Sequence, residues 1–200
     1  MQKKFLCFHT CKNENTEEYI LQNSPFHSKR TVNQWLGQGY YLWTDSDFFA
    51  HEWGKVPPRN NKYAIVQFDL ELDNSNDLLD LVGNVADQLA FKALVNEFTA
   101  SLKKAVSDQS VDRAKRQRAR TMLGSLSVST VIHFFQKKRS FPYKAVKAQD
   151  IDSNQTQDLQ FVVDEVKSKP SLLLYPTRQQ VVVYEHGKSV LKNPALYHIQ

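Results

Sequence analysis

The sequence predicts a single α+β domain in which strands and short helices enclose a basic helical segment. Apolar or alternating runs typical of strands occur near the N-terminus, at "KYAIVQFDLEL" and again near the C-terminus. A period near 3.6 residues dominates the segment between them. At 200 residues and 41% hydrophobic content, the chain is long enough for one well-buried core. We therefore expect one domain over residues 1–200, with a helical insertion at about 75–140.

The first thirty-four residues predict a strand, a helix and a loop. "KKFLCFHT" is apolar on both faces, which indicates a buried strand with His9 near its end. "ENTEEYILQN" carries acidic residues in its first turn, so we expect a short helix that begins near Thr16. Pro25 and the polar run "HSKRTVNQ" then predict a loop.

The next segment predicts a strand, a helix and a second strand. "GYYLW" has the aromatic content of a strand, and Thr44 followed by Asp47 predicts the N-cap of a helix that runs through Trp53. After the break at "PPRNN", "KYAIVQFDLEL" is the most regular strand pattern in the chain.

From about Ser75 the pattern becomes helical and later returns to strands. The helical period extends over three segments, "NDLLDLVGNVADQLAFKALVNEFTASLKKAV", "SVDRAKRQRARTMLGSL" and "SVSTVIHFFQKK". Strands are predicted at "YKAVKA", "LQFVVDEV" and "QVVVYE".

The positive charge belongs to one region of the chain. The formal net charge is +5. Between Gly83 and Ser140, eleven Lys or Arg face four acidic residues, so this segment carries 11 − 4 = +7 and the rest carries 5 − 7 = −2. A local excess of this size offers either a solvated surface or a binding surface for phosphate groups.

Several classes of protein are disfavoured. No run approaches the ~20 apolar residues that cross a bilayer, and the N-terminus does not resemble a secretion signal. We therefore expect a soluble, cytoplasmic protein with no membrane partner. The only cysteines, Cys7 and Cys11, are too close along one strand to close a disulfide easily, which fits a reducing compartment. The sequence has no phosphate-binding glycine loop, no GxGxxG motif and no HExxH motif.

Two of the 6 glycines lie together in "WLGQGYYLW", directly before paired aromatic residues. Glycine allows positive φ and close approach of another group to the backbone. Gly37 and Gly39 therefore either shape a turn beside core aromatic residues or place a strand against a flat ligand. An aromatic strand suits such a ligand because aromatic rings stack on heteroaromatic rings.

Three segments together resemble a known family. "FLCFHT", "GQGYYLWTDSDFFAHEW" and "RQQVVVYEHGKSV" are similar, in order and spacing, to the three signature strands of the diphtheria-toxin-like ADP-ribosyltransferases. This branch includes the poly(ADP-ribose) polymerases and small bacterial toxins. The resemblance covers the N-terminal third and the last thirty or so residues. It implies a split β-sheet core with an NAD cleft, and NAD as co-substrate.

The resemblance also implies roles for individual residues. His9 would bind a ribose hydroxyl, Tyr41 would stack on nicotinamide, and Gln180 would hold the reacting ribose, so these three form the expected catalytic set. The expected NAD-binding residues are His9, Thr10, Gly39, Tyr40, Tyr41 and Phe49. Cleavage of the nicotinamide bond passes through a cation-like ribosyl state, which the enzyme must orient and stabilise.

Gln180 departs from the family pattern, in which a glutamate usually leads the third strand. A neutral amide can bond a 2′-hydroxyl but stabilises a cation less than a carboxylate does. Catalysis is then slower, or another acid contributes, with Glu185 and Glu52 as candidates. The residue two positions before Gln180 is Arg178, so the paired glutamates of arginine-modifying relatives are absent and arginine is a doubtful acceptor.

His9 also has two other interpretations. A lone histidine is commonly a core residue bonded to the backbone. Cys7, His9 and Cys11 alternate and suggest a metal site, but three ligands so close along one extended strand do not converge on one ion. We expect no metal.

The basic segment is the expected acceptor surface. Arg113, Arg116 and Arg120 share one helical face, and Lys137 and Lys138 follow at the end of the next helix. Nearby aromatic side chains either stack on bases or face the core; they are Phe134, Phe135, Phe141 and Tyr143.

The expected function is NAD-dependent ADP-ribosylation of nucleic acid, RNA in preference to DNA, by a bacterial toxin or phage-defence effector. An acidic antitoxin is a second possible partner of the basic surface. The alternatives are a protein or small-molecule acceptor, and a non-catalytic nucleic-acid-binding or scaffold protein.

Overall fold

The structure, a computed structural model, describes residues 3–28, 34–150, 159–162, 171–174 and 177–200. It confirms the predicted α+β class: a seven-stranded mixed sheet is combined with several helices. Among the described residues, no helix combines the length and the apolar character needed to cross a bilayer.

The main sheet has the strand order β4-β5-β8-β2-β1-β3-β9. Its strands are β1 (Lys3–Lys12), β2 (Tyr40–Thr44), β3 (Tyr63–Leu72), β4 (Leu78–Asp80), β5 (Ala145–Gln149), β8 (Gln179–Val183) and β9 (Leu191–Ile199). β6 (Leu159–Val162) and β7 (Ser171–Leu174) form a separate antiparallel pair. Only β4 and β5 pair in parallel within the described sheet.

Five α-helices accompany the described strands: α1 (Glu17–Asn23), α2 (Phe48–Lys55), α3 (Val85–Ser107), α4 (Arg113–Gly124) and α5 (Val128–Lys137). Short 3₁₀ helices cover Ser75–Asp77 and Glu185–Val190. The predicted start of the first helix near Thr16 is confirmed, because its hydroxyl accepts a hydrogen bond from the backbone N–H of Tyr19. Asp47 precedes α2 as predicted, although its side chain makes no capping hydrogen bond.

The helical prediction from Ser75 is wrong for residues 78–84, which follow a short 3₁₀ helix. The segment Leu78–Asp80 is a strand, and α3 begins only at Val85, after a cap in which the side chain of Asn84 accepts from the N–H groups of Ala86 and Asp87. The leucines of this strand are almost completely buried beside β5. This segment is a strand because it pairs with β5, more than sixty residues away. The spacing of apolar residues within the segment gives no sign of such long-range pairing.

β9 was not among the predicted strands. It lies at the edge of the sheet, contains Pro194, and is largely exposed, so it lacks the buried alternation that reveals a strand. The predicted loop at "HSKRTVNQ" and the predicted strand at "LQFVVDEV" lie partly outside the described residues, although β6 occupies the first half of the latter.

Two apolar layers cover the sheet. One face packs against α1 through Ile20, and its fully or nearly fully buried side chains include Cys7, Leu42, Val66 and Val181. On the other face, α2 covers one end and α3, α4 and α5 supply residues to the cluster over the rest. The helical segment therefore contributes core as well as surface, and it lies on one side of the sheet.

Candidate functional site

The three strands that carry the sequence motifs lie side by side. β8, β2 and β1 are neighbours in the centre of the sheet, although they begin at Gln179, Tyr40 and Lys3. β2 pairs antiparallel with β8 over four residue pairs, whereas β1 and β2 pair only at Cys7–Thr44 and Phe8–Trp43. The three candidate catalytic residues therefore come from adjacent strands.

The register separates these residues onto two faces. Trp43 lies opposite Gln180, and Tyr41 lies opposite Val182, so Tyr41 and Gln180 project from the same face. Phe8 pairs with Trp43, which places the next residue, His9, on the other face. The sheet thus brings Tyr41 and Gln180 together, and His9 approaches them only through the backbone.

The side chain of His9 connects β1 to β2 beyond the two residue pairs that these strands share. Its Nδ1 lies 2.9 Å from the carbonyl oxygen of Tyr41, and its Nε2 accepts a hydrogen bond of 3.1 Å from the N–H of Phe26. Because Nε2 accepts, Nδ1 carries the proton and donates to Tyr41. Burial, opposed by this bond to Tyr41, lowers the pKa of His9 to about 4, so the ring is neutral at pH 7. Both ring nitrogens are occupied by backbone groups.

Two cysteines lie on the same strand as His9. Cys7 and Cys11 are buried free thiols on the same face, and burial raises the pKa of Cys11 to about 11. Over the part of the chain that the structure describes, no three or more His, Cys, Asp or Glu side chains are grouped to hold a metal ion.

Tyr41 is held by the turn that precedes it. Its hydroxyl donates to the carbonyl oxygen of Gly37 at 2.7 Å and accepts from the N–H of Leu36 at 3.1 Å. Burial raises the pKa of Tyr41, and the nearby carboxylate of Asp150 acts in the same direction. The phenol is therefore neutral and fixed in orientation.

Gln180 is also in contact with this turn. The indole Nε1–H of Trp35 donates to Oε1 of Gln180 over 3.1 Å, and Gln180 is only 7% exposed. The carbonyl oxygen of Leu36 accepts a further hydrogen bond of 3.0 Å from the hydroxyl of Tyr184. Residues 35–37 thus cover both Tyr41 and Gln180.

The two glycines of this segment have separate structural reasons. Gly37 has φ +91°, a backbone conformation that other residues rarely adopt. Gly39 lies so close to β8 that an added Cβ would meet the carbonyl oxygen of Val183 at 2.6 Å. The close neighbour of Gly39 is therefore a strand of the same chain.

The two other acids considered from sequence lie elsewhere. The hydroxyl of Tyr40 donates to Glu185 at 2.6 Å, and Tyr40 belongs to the sheet face opposite Gln180. Burial, together with this carboxylate, raises the pKa of Tyr40 to about 12. Glu52 forms an exposed ion pair with Lys55 on α2. Neither side chain joins the Tyr41 and Gln180 pair in these contacts.

An acid that the sequence did not point to lies closer. Asp150 follows β5, and its carboxylate forms a 2.9 Å ion pair with Arg178, which is only 3% exposed. Its charge also acts on Tyr41. Asp150 carries no sequence motif. Only the pairing of β5 with β8 brings it to the site, and the apolar pattern of both strands is the one signal that could have indicated this pairing.

A cavity of about 350 Å³ lies where β2 ends and where α2 and β8 begin. Its lining residues are Thr44, Asp45, Ser46, Phe48, Phe49, Thr177 and Gln179. The ring of Phe49 also contacts Trp43 and the guanidinium of Arg178. Thr10, another expected NAD contact, donates its hydroxyl to the carbonyl oxygen of Ala50 at 2.8 Å. This bond ties β1 to α2 at the margin of the site.

The expected acceptor residues lie on α4 and at the end of α5. Arg113 and Arg120 are exposed, Arg116 is half-buried, and Lys137 and Lys138 are exposed. In the described structure, none of the eleven basic side chains between Gly83 and Ser140 pairs with an acidic side chain. By contrast, Lys4, Lys12, Lys55, Lys144, Lys147 and Arg178 are all paired. The excess charge of the helical layer is thus open to solvent.

The aromatic residues of this layer mostly face the core. Phe135 and Phe141 are 2% and 7% exposed, and Phe134 and Tyr143 pack against the same cluster. Lys138 lies 4.2 Å from the ring centre of Phe134. Of the two interpretations of these aromatic residues, core packing is the one that the structure shows for Phe135 and Phe141.

Comparison of the chain with protein-family models, with curated protein sequences and with solved structures finds no match.

Proposed function

We propose that this chain is an NAD-dependent ADP-ribosyltransferase that modifies nucleic acid, RNA in preference to DNA, as a bacterial toxin or phage-defence effector. The observation that carries the proposal is the adjacency of β1, β2 and β8. These strands carry the three motifs that resemble the family. The motifs are far apart in the sequence, since β1 begins at Lys3 and β8 at Gln179. The shared face of Tyr41 and Gln180 gives an aromatic ring and an amide on one surface.

The chemistry follows from these side chains. The bond between C1′ of the ribose and the nicotinamide nitrogen breaks, and nicotinamide leaves with the electron pair. A nucleophile of the acceptor forms the new bond to C1′ and releases its proton. Tyr41 would stack on the nicotinamide ring, and Gln180 would hold the ribose 2′-hydroxyl. His9 is neutral, and its ring bonds to the backbone of Tyr41 and Phe26. To bind a ribose hydroxyl of NAD, His9 would have to give up one of these two hydrogen bonds.

Because Gln180 is neutral, it stabilises the positive charge that develops on the ribose only weakly. A cation-like ribose gains most from a carboxylate aimed at it. Asp150 is an acid near Tyr41, but its charge is shared with Arg178. A slow reaction is therefore expected unless a bound acceptor rearranges this ion pair.

The acceptor is proposed from charge and from the cavity. Eleven basic side chains without described ion-pair partners make a surface that releases counterions when it binds a phosphate backbone. The cavity at the start of β8 would admit the reacting group of the acceptor. A protein side chain is the alternative acceptor, and an acidic antitoxin is the proposed inhibitor of the basic surface.

A non-catalytic nucleic-acid-binding protein is the second candidate. It is favoured by the contact of Trp35 with Gln180 and by the occupied nitrogens of His9, which leave the site filled by the chain itself. In that case the motif strands are structural, and the basic helical layer is the functional part.

One experiment separates these functions. The purified protein is incubated with labelled NAD and with total RNA, DNA or lysate protein. Transfer of label to RNA, with loss of transfer in Tyr41→Ala, supports the first proposal, and transfer to protein supports the alternative acceptor. RNA binding without nicotinamide release under any condition supports the non-catalytic protein. A growth assay gives a second measurement, since expression should be toxic and Tyr41→Ala should relieve the toxicity.

A further inference from the structure

The turn before β2 occupies the candidate site from within the chain. We call residues Trp35, Leu36 and Gly37 the latch. Three polar groups hold it: the hydroxyl of Tyr41 on β2, the amide of Gln180 on β8, and the hydroxyl of Tyr184, the residue that follows β8. Every one of these hydrogen bonds is between 2.7 and 3.1 Å long.

Burial adds an apolar contribution to these bonds. Leu36 is completely buried in the same cluster as Phe98, Phe135 and Val182. Trp35 packs against this cluster without being fully buried. The latch therefore joins the sheet to the helical layer, and its indole lies at the margin where solvent has access.

The latch uses the groups that a ligand would need. Oε1 of Gln180 is its hydrogen-bond acceptor, and the indole of Trp35 donates to it. The hydroxyl of Tyr41 both donates to and accepts from the latch backbone. A ribose hydroxyl that bonds Oε1 must therefore compete with Trp35.

The geometry points to a built-in closing device: we propose that the latch keeps the Tyr41 and Gln180 site shut in the free protein and opens locally, without unfolding of the sheet, to admit a ligand. Trp35 and Gly37 are half-buried and the latch is a turn rather than a strand, so we expect it to open more readily than the central β8. That the admitted ligand is NAD rests on the proposed function. Trp35 then acts as a positioning and gating residue for Gln180.

Hydrogen exchange tests local opening without any ligand. The backbone N–H of Leu36, which donates to Tyr41, should exchange at least ~10-fold faster than the slowest amides of β8. Tyr184→Phe removes one latch bond and should speed the exchange of Leu36 by a further ~2- to 10-fold. Tyr197→Phe is the matched control, since its hydroxyl bonds Asp47 outside the latch, and it should leave Leu36 unchanged. Exchange of Leu36 at the rate of β8, in the parent and in Tyr184→Phe, would overturn the latch.

Binding of NAD tests the competition. Trp35→Phe keeps a ring but removes the donor to Gln180, so calorimetric titration should show NAD affinity increased by ~2- to 10-fold. Trp53→Phe is the matched control and should bind as the parent does. Equal or weaker binding by a folded Trp35→Phe would overturn the gating role. If none of the three proteins binds NAD while Leu36 exchanges rapidly, the latch is upheld and the proposed co-substrate is overturned.

Discussion

The indole Nε1 of Trp35 lies 3.1 Å from Oε1 of Gln180, although 145 residues separate them in the chain. A tryptophan N–H can only donate, so this contact fixes which end of the Gln180 amide is the acceptor and where it points. The orientation of a residue with a proposed catalytic role is thus set by a neighbour outside the three motifs.

Replacement of Gln180 by glutamate should increase nicotinamide release. The carboxylate would stabilise the cation-like ribose better than the amide does, and it would still accept the hydrogen bond from Trp35. We expect a rate at least ~10-fold higher, which corresponds to ~1.4 kcal/mol in the barrier. The measurement is nicotinamide release from NAD at fixed enzyme concentration. Gln180→Leu, which keeps the volume but removes both polar atoms, is the control and should show no release. An equal or lower rate for a folded Gln180→Glu would contradict the assigned role.

Stability should fall between pH 6.5 and pH 4 because of His9. Burial lowers the pKa of His9 in the folded protein to about 4, against about 6.5 when unfolded. Between these values the unfolded chain binds the proton and the folded chain does not. The stabilising contribution is therefore complete above pH 6.5 and is lost as the pH falls towards 4, amounting to ~3 kcal/mol.

Urea unfolding at a series of pH values measures this contribution. His9→Gln keeps a hydrogen-bonding side chain but does not titrate, so its free energy of unfolding should change less over the same range. A parallel decline in parent and variant would show that other groups cause the acid loss.

Gly39→Ala should destabilise the fold. The added Cβ would lie 2.6 Å from the carbonyl oxygen of Val183 and 2.7 Å from a methyl carbon of Val182, so β2 and β8 must move apart. Overpacking of this kind costs ~1–3 kcal/mol. Thermal unfolding followed by circular dichroism measures the loss. Gly124→Ala is the matched control, because nothing lies within 4 Å of its added Cβ and it ends helix α4. Equal melting temperatures for the two variants would show that the β2–β8 contact is not tight in solution.

Loss of two arginines on α4 should weaken RNA binding in a salt-dependent way. Arg113→Ala combined with Arg120→Ala removes two exposed charges that have no described ion-pair partner. If each contacts a phosphate, the slope of log affinity against log salt should decrease by ~0.7–0.9 for each lost contact. Fluorescence anisotropy with labelled RNA at several salt concentrations measures this.

The control variant removes the same charge from another part of the surface. Lys62 and Lys192 are exposed and lie outside the basic helical segment. Lys62→Ala combined with Lys192→Ala should leave the salt slope unchanged. If this control weakens binding as much as the α4 variant does, binding depends on net charge and not on the α4 surface.

The sequence predicted those features that local patterns determine. The alternation in β3 and the start of the first helix near Thr16 involve residues within one element, so both could be predicted and were confirmed. The strand Leu78–Asp80 and the edge strand β9 were missed, because pairing with distant strands decides them.

The candidate site likewise combines residues that local motifs identify with contacts that depend on the folded chain. The motif residues His9, Tyr41 and Gln180 could be named from short strings, and the structure brings their strands together. The contacts of Trp35 and Asp150 could not, because each depends on a partner that only the folded chain brings near. The sequence also could not show that His9 and Tyr41 lie on opposite faces of the sheet. This depends on the pairing register of β1 and β2, and a shift of one residue would place both side chains on the same face.

The central position of β8 has a consequence for biosynthesis. During synthesis on the ribosome, β1, β2 and β3 emerge early, but the strand that fills the gap between β2 and β5 emerges only after residue 178. Pairing of strands so far apart in sequence is slow, because the chain loses the entropy of closing a long loop before the new contacts can offset that loss. A nascent chain therefore cannot assemble the Tyr41 and Gln180 surface until β8 has left the ribosome. Arrested chains that end before and after β8 would test this, since only the longer chain should resist limited proteolysis.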